Sequence, residues 1–297
     1  MKRRFVTMDV FTDQVFGGNP LGVVFDAQGL TTAQMQAIAG EFNYSETSFF
    51  LPPDNSENDA VLRIFTPARE VPFAGHPNIG SAIAATHLGA LFDRRVGETL
   101  RFEEKAGLVR IDIRRPATGT IEAECTAPEP FSTGEPVDIE AVARSTGLSA
   151  ADILTSRHVP LTASVGLPFT IAEIASMDAL RRAAPGPVKA FHALPAHAHD
   201  VMIYVMTGDG HAAARMFGPL DGVPEDPATG SACAALMGLT ASLDQRSDGE
   251  ISLEIAQGVE MGRPSRILAR ASKSGGKVAE VRIAGSAVTV FEGTFEL

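Results

Sequence analysis

Cysteine is scarce in this chain: only Cys125 and Cys233 occur among 297 residues. That excludes a disulfide framework and a C-x-x-C metal knuckle. Basic charge is also in deficit, with a formal net charge of −11. A surface of that sign cannot neutralise a run of phosphates, so nucleic acid is excluded as a partner. Long apolar runs are missing as well. No window of about 18 apolar residues occurs, so no membrane span is expected. The opening "MKRRFVTMDVFTD" is basic, but Asp9 interrupts before any apolar stretch a signal peptide would need. These absences lead to the expectation of a soluble, cytoplasmic protein. At 44% hydrophobic and 21% charged residues, its composition is that of a globular chain.

What the chain does have is alternation. Segments such as "RRFVTMDVFT", "ETSFFL", "AVLRIF", "LVRIDIRR", "VMIYVMT" and "SRILARA" repeat with period two, and glycine or proline separates most of them, as in strands. Helical pattern is expected at 31–41, 81–92, 137–154 and 231–243. The segments 81–92 and 231–243 are apolar nearly all round and rich in small residues, as in a helix buried on every side. The sequence therefore predicts an α+β protein of two pseudo-symmetric domains, each a barrel-like curved sheet around a central buried helix.

An internal repeat supports two halves. Residues 76–85 and 226–235 share six of ten positions at an offset of 150. Upstream, "RIFTP" (63–67) faces "RMFGP" (215–219). Downstream, "LRFEEKAG" (100–107) faces "ISLEIAQG" (251–258). The boundaries expected are 1–128 for the first domain, which could also take the last strand at 286–297, and 129–285 for the second.

In this alignment His76 and Asp226 are equivalent, each just before a proline at the mouth of a central helix. A helix start carries unpaired N–H groups and the positive end of the dipole, so it attracts anions. Two such mouths could hold a small carboxylate between two ionisable groups, an arrangement suited to proton transfer at carbon. Against this, a histidine in a Gly-His-Pro turn is most often a local hydrogen-bonder, and Asp226 could be only an N-cap. Glu46, in "NYSETSFFL", would be desolvated among aromatics and so a candidate general base, although on its residues alone it reads as a surface glutamate on an edge strand. A metal reading rests on His197, His199 and Asp200, with His211 nearby; His197 and His199 would share one strand face, but no third ligand has fixed spacing, so no metal is expected.

The stretches "DVFTDQVFGGNPLGVV", "NYSETSFFL", "FTPAREVPFAGHPNIGSA", "MFGPLDGVPEDPATGSACAAL" and "QGVEMGRPSRI" together resemble the PhzF family, the phenazine-biosynthesis isomerases and their relatives, over residues 9 to 267. The resemblance implies the diaminopimelate-epimerase-like fold and a cofactor-free isomerase, commonly a homodimer, with its site in the interdomain cleft. It implies Glu46, His76 and Asp226 as the catalytic residues, and Asn19, Gly75, Gly230 and Ser231 as substrate-binding positions. The expected function is a proton shift between carbons of a small, carboxylated, cyclic substrate of the dihydro-hydroxyanthranilate type. The alternative is a PhzF-like protein that binds a small metabolite without turnover. A two-cysteine epimerase is disfavoured, because Cys233 pairs with Ile83 inside the buried helices and Cys125 has no cysteine partner in the repeat.

Overall fold

The computed structural model describes residues 2–115 and 119–297, except for the side chain of Asp221. The chain divides into two compact units. The first takes the residues up to Thr126 together with Ala284–Leu297, and the second is Ala127–Ile283. The strand Lys277–Glu296 begins in the second unit and ends in the first.

In the first unit the strands Lys2–Val10, Asn19–Val24, Glu46–Leu51, Ala60–Phe65, Thr99–Glu104, Gly107–Arg114 and Glu122–Thr126 pair one to the next. The strand Lys277–Glu296 pairs with both the first and the last of them and closes an eight-stranded barrel. Closure leaves no sheet edge to be covered. The helix Gly75–Leu88 packs against strands Lys2–Val10, Asn19–Val24, Gly107–Arg114 and Glu122–Thr126, and its residues 75–85 are all buried. Gly80 lets it approach this wall: a Cβ there would meet Leu21 Cδ2 at 2.5 Å and Val10 Cγ2 at 2.7 Å.

In the second unit the ladder runs Ser132–Pro136, Leu161–Ser164, Pro168–Glu173, Val201–Gly208, His211–Gly218, Gly249–Gln257, Ser265–Ser274. The helix Gly230–Leu243 packs against Leu161–Ser164 and Ser265–Ser274, near opposite ends of this ladder, so the sheet curls around it. A satellite core joins the helix Ile139–Thr146 to Leu180, Phe191, Ile203 and Phe217.

Both units use one pattern of pairing: antiparallel, parallel, antiparallel, parallel, antiparallel. They also share a device. Arg63 donates from Nε and Nη2 to Glu70, at 2.7 Å each, with its guanidinium 5.1 Å from the Phe65 ring. Arg215 donates from Nε and Nη2 to Glu225, at 2.7 and 2.8 Å, with its guanidinium 5.1 Å from the Phe217 ring.

Several expectations shift. The helix expected at 81–92 is Gly75–Leu88, ended by Gly89 in the left-handed region at φ 83°. The helix expected at 137–154 stops at Thr146, before a separate turn at Ala150–Asp152. Strands Asn19–Val24 and His211–Gly218 escape the alternation test because both are buried along nearly their whole length. His197 and His199 lie in the turn before Val201–Gly208 rather than on a strand face. The His199 ring is hydrogen-bonded to the Ala196 carbonyl at 3.0 Å, and His211 to that of Asp209 at 2.9 Å. Among the described residues no helix is long and apolar enough to cross a membrane.

The repeat register also changes. The central helices begin at Gly75 and Gly230 and end at Leu88 and Leu243, an offset of 155. The glutamates of the two Arg–Glu pairs, Glu70 and Glu225, are separated by the same amount. In this register Gly75 matches Gly230, and His76 matches Ser231 rather than Asp226. The offset of 150 rested on Gly-Ser-Ala matches, which recur in any helix of small residues.

Candidate active site

Glu46 opens the strand Glu46–Leu51, which is paired on both sides and is not an edge strand. Its side chain is half-buried, and Oε2 lies 3.2 Å from Nδ1 of His76. His76 is the second residue of its helix, where the backbone turns inward, and it is buried. Burial pushes the imidazole down to about 3, the Pro20 carbonyl opposing the shift. His76 is therefore neutral near pH 7. A neutral ring carries one N–H: with it on Nδ1 the ring donates to an ionised Glu46, and with it on Nε2 the bare Nδ1 accepts from a protonated Glu46, so each state of Glu46 matches one tautomer. The Pro20 carbonyl ties the ring to strand Asn19–Val24, whose first residue, Asn19, is fully buried. Gly75 is the buried residue next to His76.

In the second unit Asp226 closes the strand Val223–Asp226 and is buried. It is not the N-cap, a position held by Thr229. The Thr229 hydroxyl donates to Asp226 Oδ2 at 2.6 Å instead of capping the helix. Gln257, fully buried at the end of its strand, spans the same turn. Its Nε2 donates to the Asp226 carbonyl at 2.8 Å and to Thr229 Oγ1 at 3.1 Å. Its Oε1 accepts from the Thr229 N–H at 3.2 Å and from Cys233 Sγ at 3.4 Å. Gly230 and Ser231 form the first turn behind it, Gly230 buried and Ser231 half-buried. Burial, with the Asp226 charge adding to it, pushes the Cys233 thiol up, and burial does the same to Cys125, so neither thiol is a ready nucleophile.

Glu46 and His76 thus meet, with Asn19 and Gly75 next to residues that frame the ring, while Asp226, Gly230 and Ser231 share one turn of the second unit. Thr229 and Gln257 went unread as functional positions, although both stand inside quoted motifs. The starts of these helices contrast with those of three others. Thr31, Asp138 and Ser176 cap their helices with side-chain oxygens. Neither central helix has a side-chain cap, since Ala74 has no oxygen to offer and Thr229 turns to Asp226. Their first-turn N–H groups are oriented to receive an anion.

Comparison with known proteins places this geometry. The PhzC-PhzF family pattern, described as phenazine biosynthesis-like protein, matches residues 8–293. An uncharacterized isomerase of Mesorhizobium japonicum is 39% identical, with 98% of each chain covered. The trans-2,3-dihydro-3-hydroxyanthranilate isomerase of Pseudomonas chlororaphis is 38% identical over 99% of each chain. The crystal structure of a PhzF-family phenazine biosynthesis protein from Bacillus anthracis superposes with a TM-score of 0.89 at 27% identity, covering all of both chains.

Proposed function

The chain belongs to the PhzC-PhzF family of phenazine biosynthesis-like proteins, and from that premise we propose that it is an isomerase whose reaction is a proton shift between carbons of a small, carboxylated, cyclic substrate. The observation that carries the proposal is the contact between Glu46 and a neutral, buried His76. A general base must give up and regain its proton without a full charge partner fixing it in one state. A cationic neighbour would hold Glu46 ionised, whereas a neutral imidazole follows it through both states.

In this reading Glu46 removes a proton from one carbon and returns it to another, and His76 orients the carboxyl between the two steps. The substrate carboxylate is received by the uncapped first turn of the first unit, through Gly75 with Asn19 beside it, and Gly230 and Ser231 offer the same kind of anion-binding turn in the second unit. Asp226 is the second ionisable group of the reaction; its support is the family resemblance, together with the way Thr229 and Gln257 fix it. One proton leaves a carbon for Glu46, where it can exchange with solvent, and one is returned from Glu46 to another carbon, so the reaction balances without a cofactor. The Pseudomonas relatives act on trans-2,3-dihydro-3-hydroxyanthranilate, and the proposal takes a compound of that type as substrate. The same reading expects a homodimer, measured by light scattering on the eluting protein.

The test is incubation with trans-2,3-dihydro-3-hydroxyanthranilate in deuterated water, reading product formation and deuterium at the reacting carbon. Isomerisation by the wild type, lost in Glu46→Gln, supports the proposal. Tight binding without turnover points to the metabolite-binding alternative instead.

A further inference from the structure

Glu104 ends the strand Thr99–Glu104 on the face of buried Leu100 and Phe102. Both of its carboxyl oxygens are shut off from solvent and have no hydrogen-bond partner. The side chain of Asn78 lies against this carboxyl. Asn78 is itself fully buried, and its Nδ2 donates to the carbonyl of Ala74 at 3.0 Å. That bond fixes the amide's orientation, because the reverse would set two oxygens face to face. Asn78 Oδ1 is then a buried acceptor without a donor. Three such oxygens in one place carry a heavy penalty, since each loses its water and gains no well-formed hydrogen bond.

The second unit shows what this position requires. Gln257 ends its strand opposite Ala214, the residue before Arg215. Glu103 lies opposite Val61, so Glu104 falls opposite Leu62, the residue before Arg63. Glu104 and Gln257 are thus equivalent, and each meets the fourth residue of its central helix, Asn78 or Cys233. Gln257 is a neutral group with one donor end and one acceptor end, both in use. A carboxylate has no donor end; a carboxylic acid has one.

We propose that Glu104 is held as the neutral acid, its O–H donating to Oδ1 of Asn78, and that this bond positions the first helical turn carrying His76. Glu104 is a positioning residue: it acts through Asn78 and the Ala74 carbonyl on the turn that sets His76 against Glu46. The bond stands apart from the reaction, while its consequence for turnover rests on the reading of Glu46 and His76 above. Burial supports the neutral form by pushing this carboxyl up to about 8 against the opposing pull of the Asn78 amide. Among the described residues the titratable group facing it is the Cys125 thiol on Glu122–Thr126; the helix presents Asn78, and the strand Ala60–Phe65 places Leu62 opposite it.

The sign of the pH effect follows. A glutamate whose folded value exceeds its unfolded 4.5 binds more proton when folded, so its contribution to stability falls as pH rises from 4.5 to about 8 and is level above that. Glu104→Gln removes this titration and keeps the donor. The full-length wild type, Glu104→Gln and Glu104→Ala are compared from about pH 5 to 9.5. The expected results are three. Isotope-edited infrared spectra show a protonated glutamic acid near neutral pH that is absent from Glu104→Gln. The melting temperature of Glu104→Gln rises relative to wild type up to about pH 8 and then stays level. The His76 ring-nitrogen resonances move in Glu104→Ala and return in Glu104→Gln. An infrared spectrum without the protonated acid, a stability difference that does not change with pH, or His76 resonances unmoved in Glu104→Ala would each overturn the proposal. None of these readings needs a substrate, so failure of the proton-shift reading would leave them intact.

Discussion

The two central helices start in different ways on the same scaffold. In the first unit the helix opens with Gly75-His76-Pro77, and an imidazole occupies the second position; in the second it opens with Gly230-Ser231-Ala232, and a hydroxyl does. The first mouth is framed by three ionisable side chains, Glu46, a neutral His76 and Glu104, whose carboxyl burial pushes up to about 8. The second is fixed by an amide and a hydroxyl, Gln257 and Thr229, which hold one carboxylate in place. One pattern of strand pairing can therefore support a mouth lined by several ionisable side chains and a mouth whose one carboxylate is held by an amide and a hydroxyl.

Substitutions at matched positions test how far this contrast extends. The largest stability effect is expected at Arg215, which is nearly buried and also donates to the carbonyls of Leu180 and Ala183. Arg215→Met leaves Glu225 without its partner and should cost about 3–5 kcal/mol. Arg63→Met, at the more exposed equivalent, should cost about 1.5–3 kcal/mol. Denaturant melts that rank the two in reverse would show that the shared Arg–Glu device is not used in the same way.

Next come the helix glycines. Gly238→Ala drives a methyl to 2.2 Å from the Phe131 ring, and Gly80→Ala drives one to 2.5 Å from Leu21. Each overpacks a central helix against its wall and should cost about 1–3 kcal/mol. A neutral result at Gly80 would mean that the first helix has room to move, and that the placement of His76 is not set by packing.

Gln257→Leu sharpens the contrast at the second mouth. It strands the Asp226 carbonyl and the Thr229 N–H, at about 1–3 kcal/mol. If Asp226 serves the reaction, turnover should fall further than stability explains, and Thr229→Val should reproduce the fall. A variant that loses stability but keeps its turnover would confine Gln257 to holding the fold.

Much of this was legible in the sequence, for identifiable reasons. A helix buried on all sides has to be apolar all round, so both central helices announced themselves, and strands with one dry face, such as Ser265–Ser274, alternated visibly. Strands buried on both faces had no alternation to show. The start of the first helix was legible only in part: Pro77 marks a helix mouth, as suits a first turn where its missing N–H costs nothing, but the run of small apolar residues that marks the helix itself begins only at Ser81. The register of the repeat was misread by five residues because glycine, serine and alanine match by chance, while the Arg–Glu pairs that fix it are separated by different loop lengths. Of the candidate site, Glu46 and His76 stood out by type and setting. Glu104 and Gln257 did not, because what marks them is parallel register, which pairs residues far apart in the chain.

The proton-carrier role of Glu46 is tested most directly by deuterium incorporation from solvent into trans-2,3-dihydro-3-hydroxyanthranilate, comparing wild type with Glu46→Gln and with Glu41→Gln, an exposed carboxylate on the helix Thr32–Phe42. Glutamine keeps the size of the side chain and a hydrogen bond to His76 but cannot carry a proton. Incorporation should fall about 10²–10⁴-fold in Glu46→Gln and remain at the wild-type rate in Glu41→Gln. Exchange at the wild-type rate in Glu46→Gln would contradict the account and move the search for the proton carrier to Asp226.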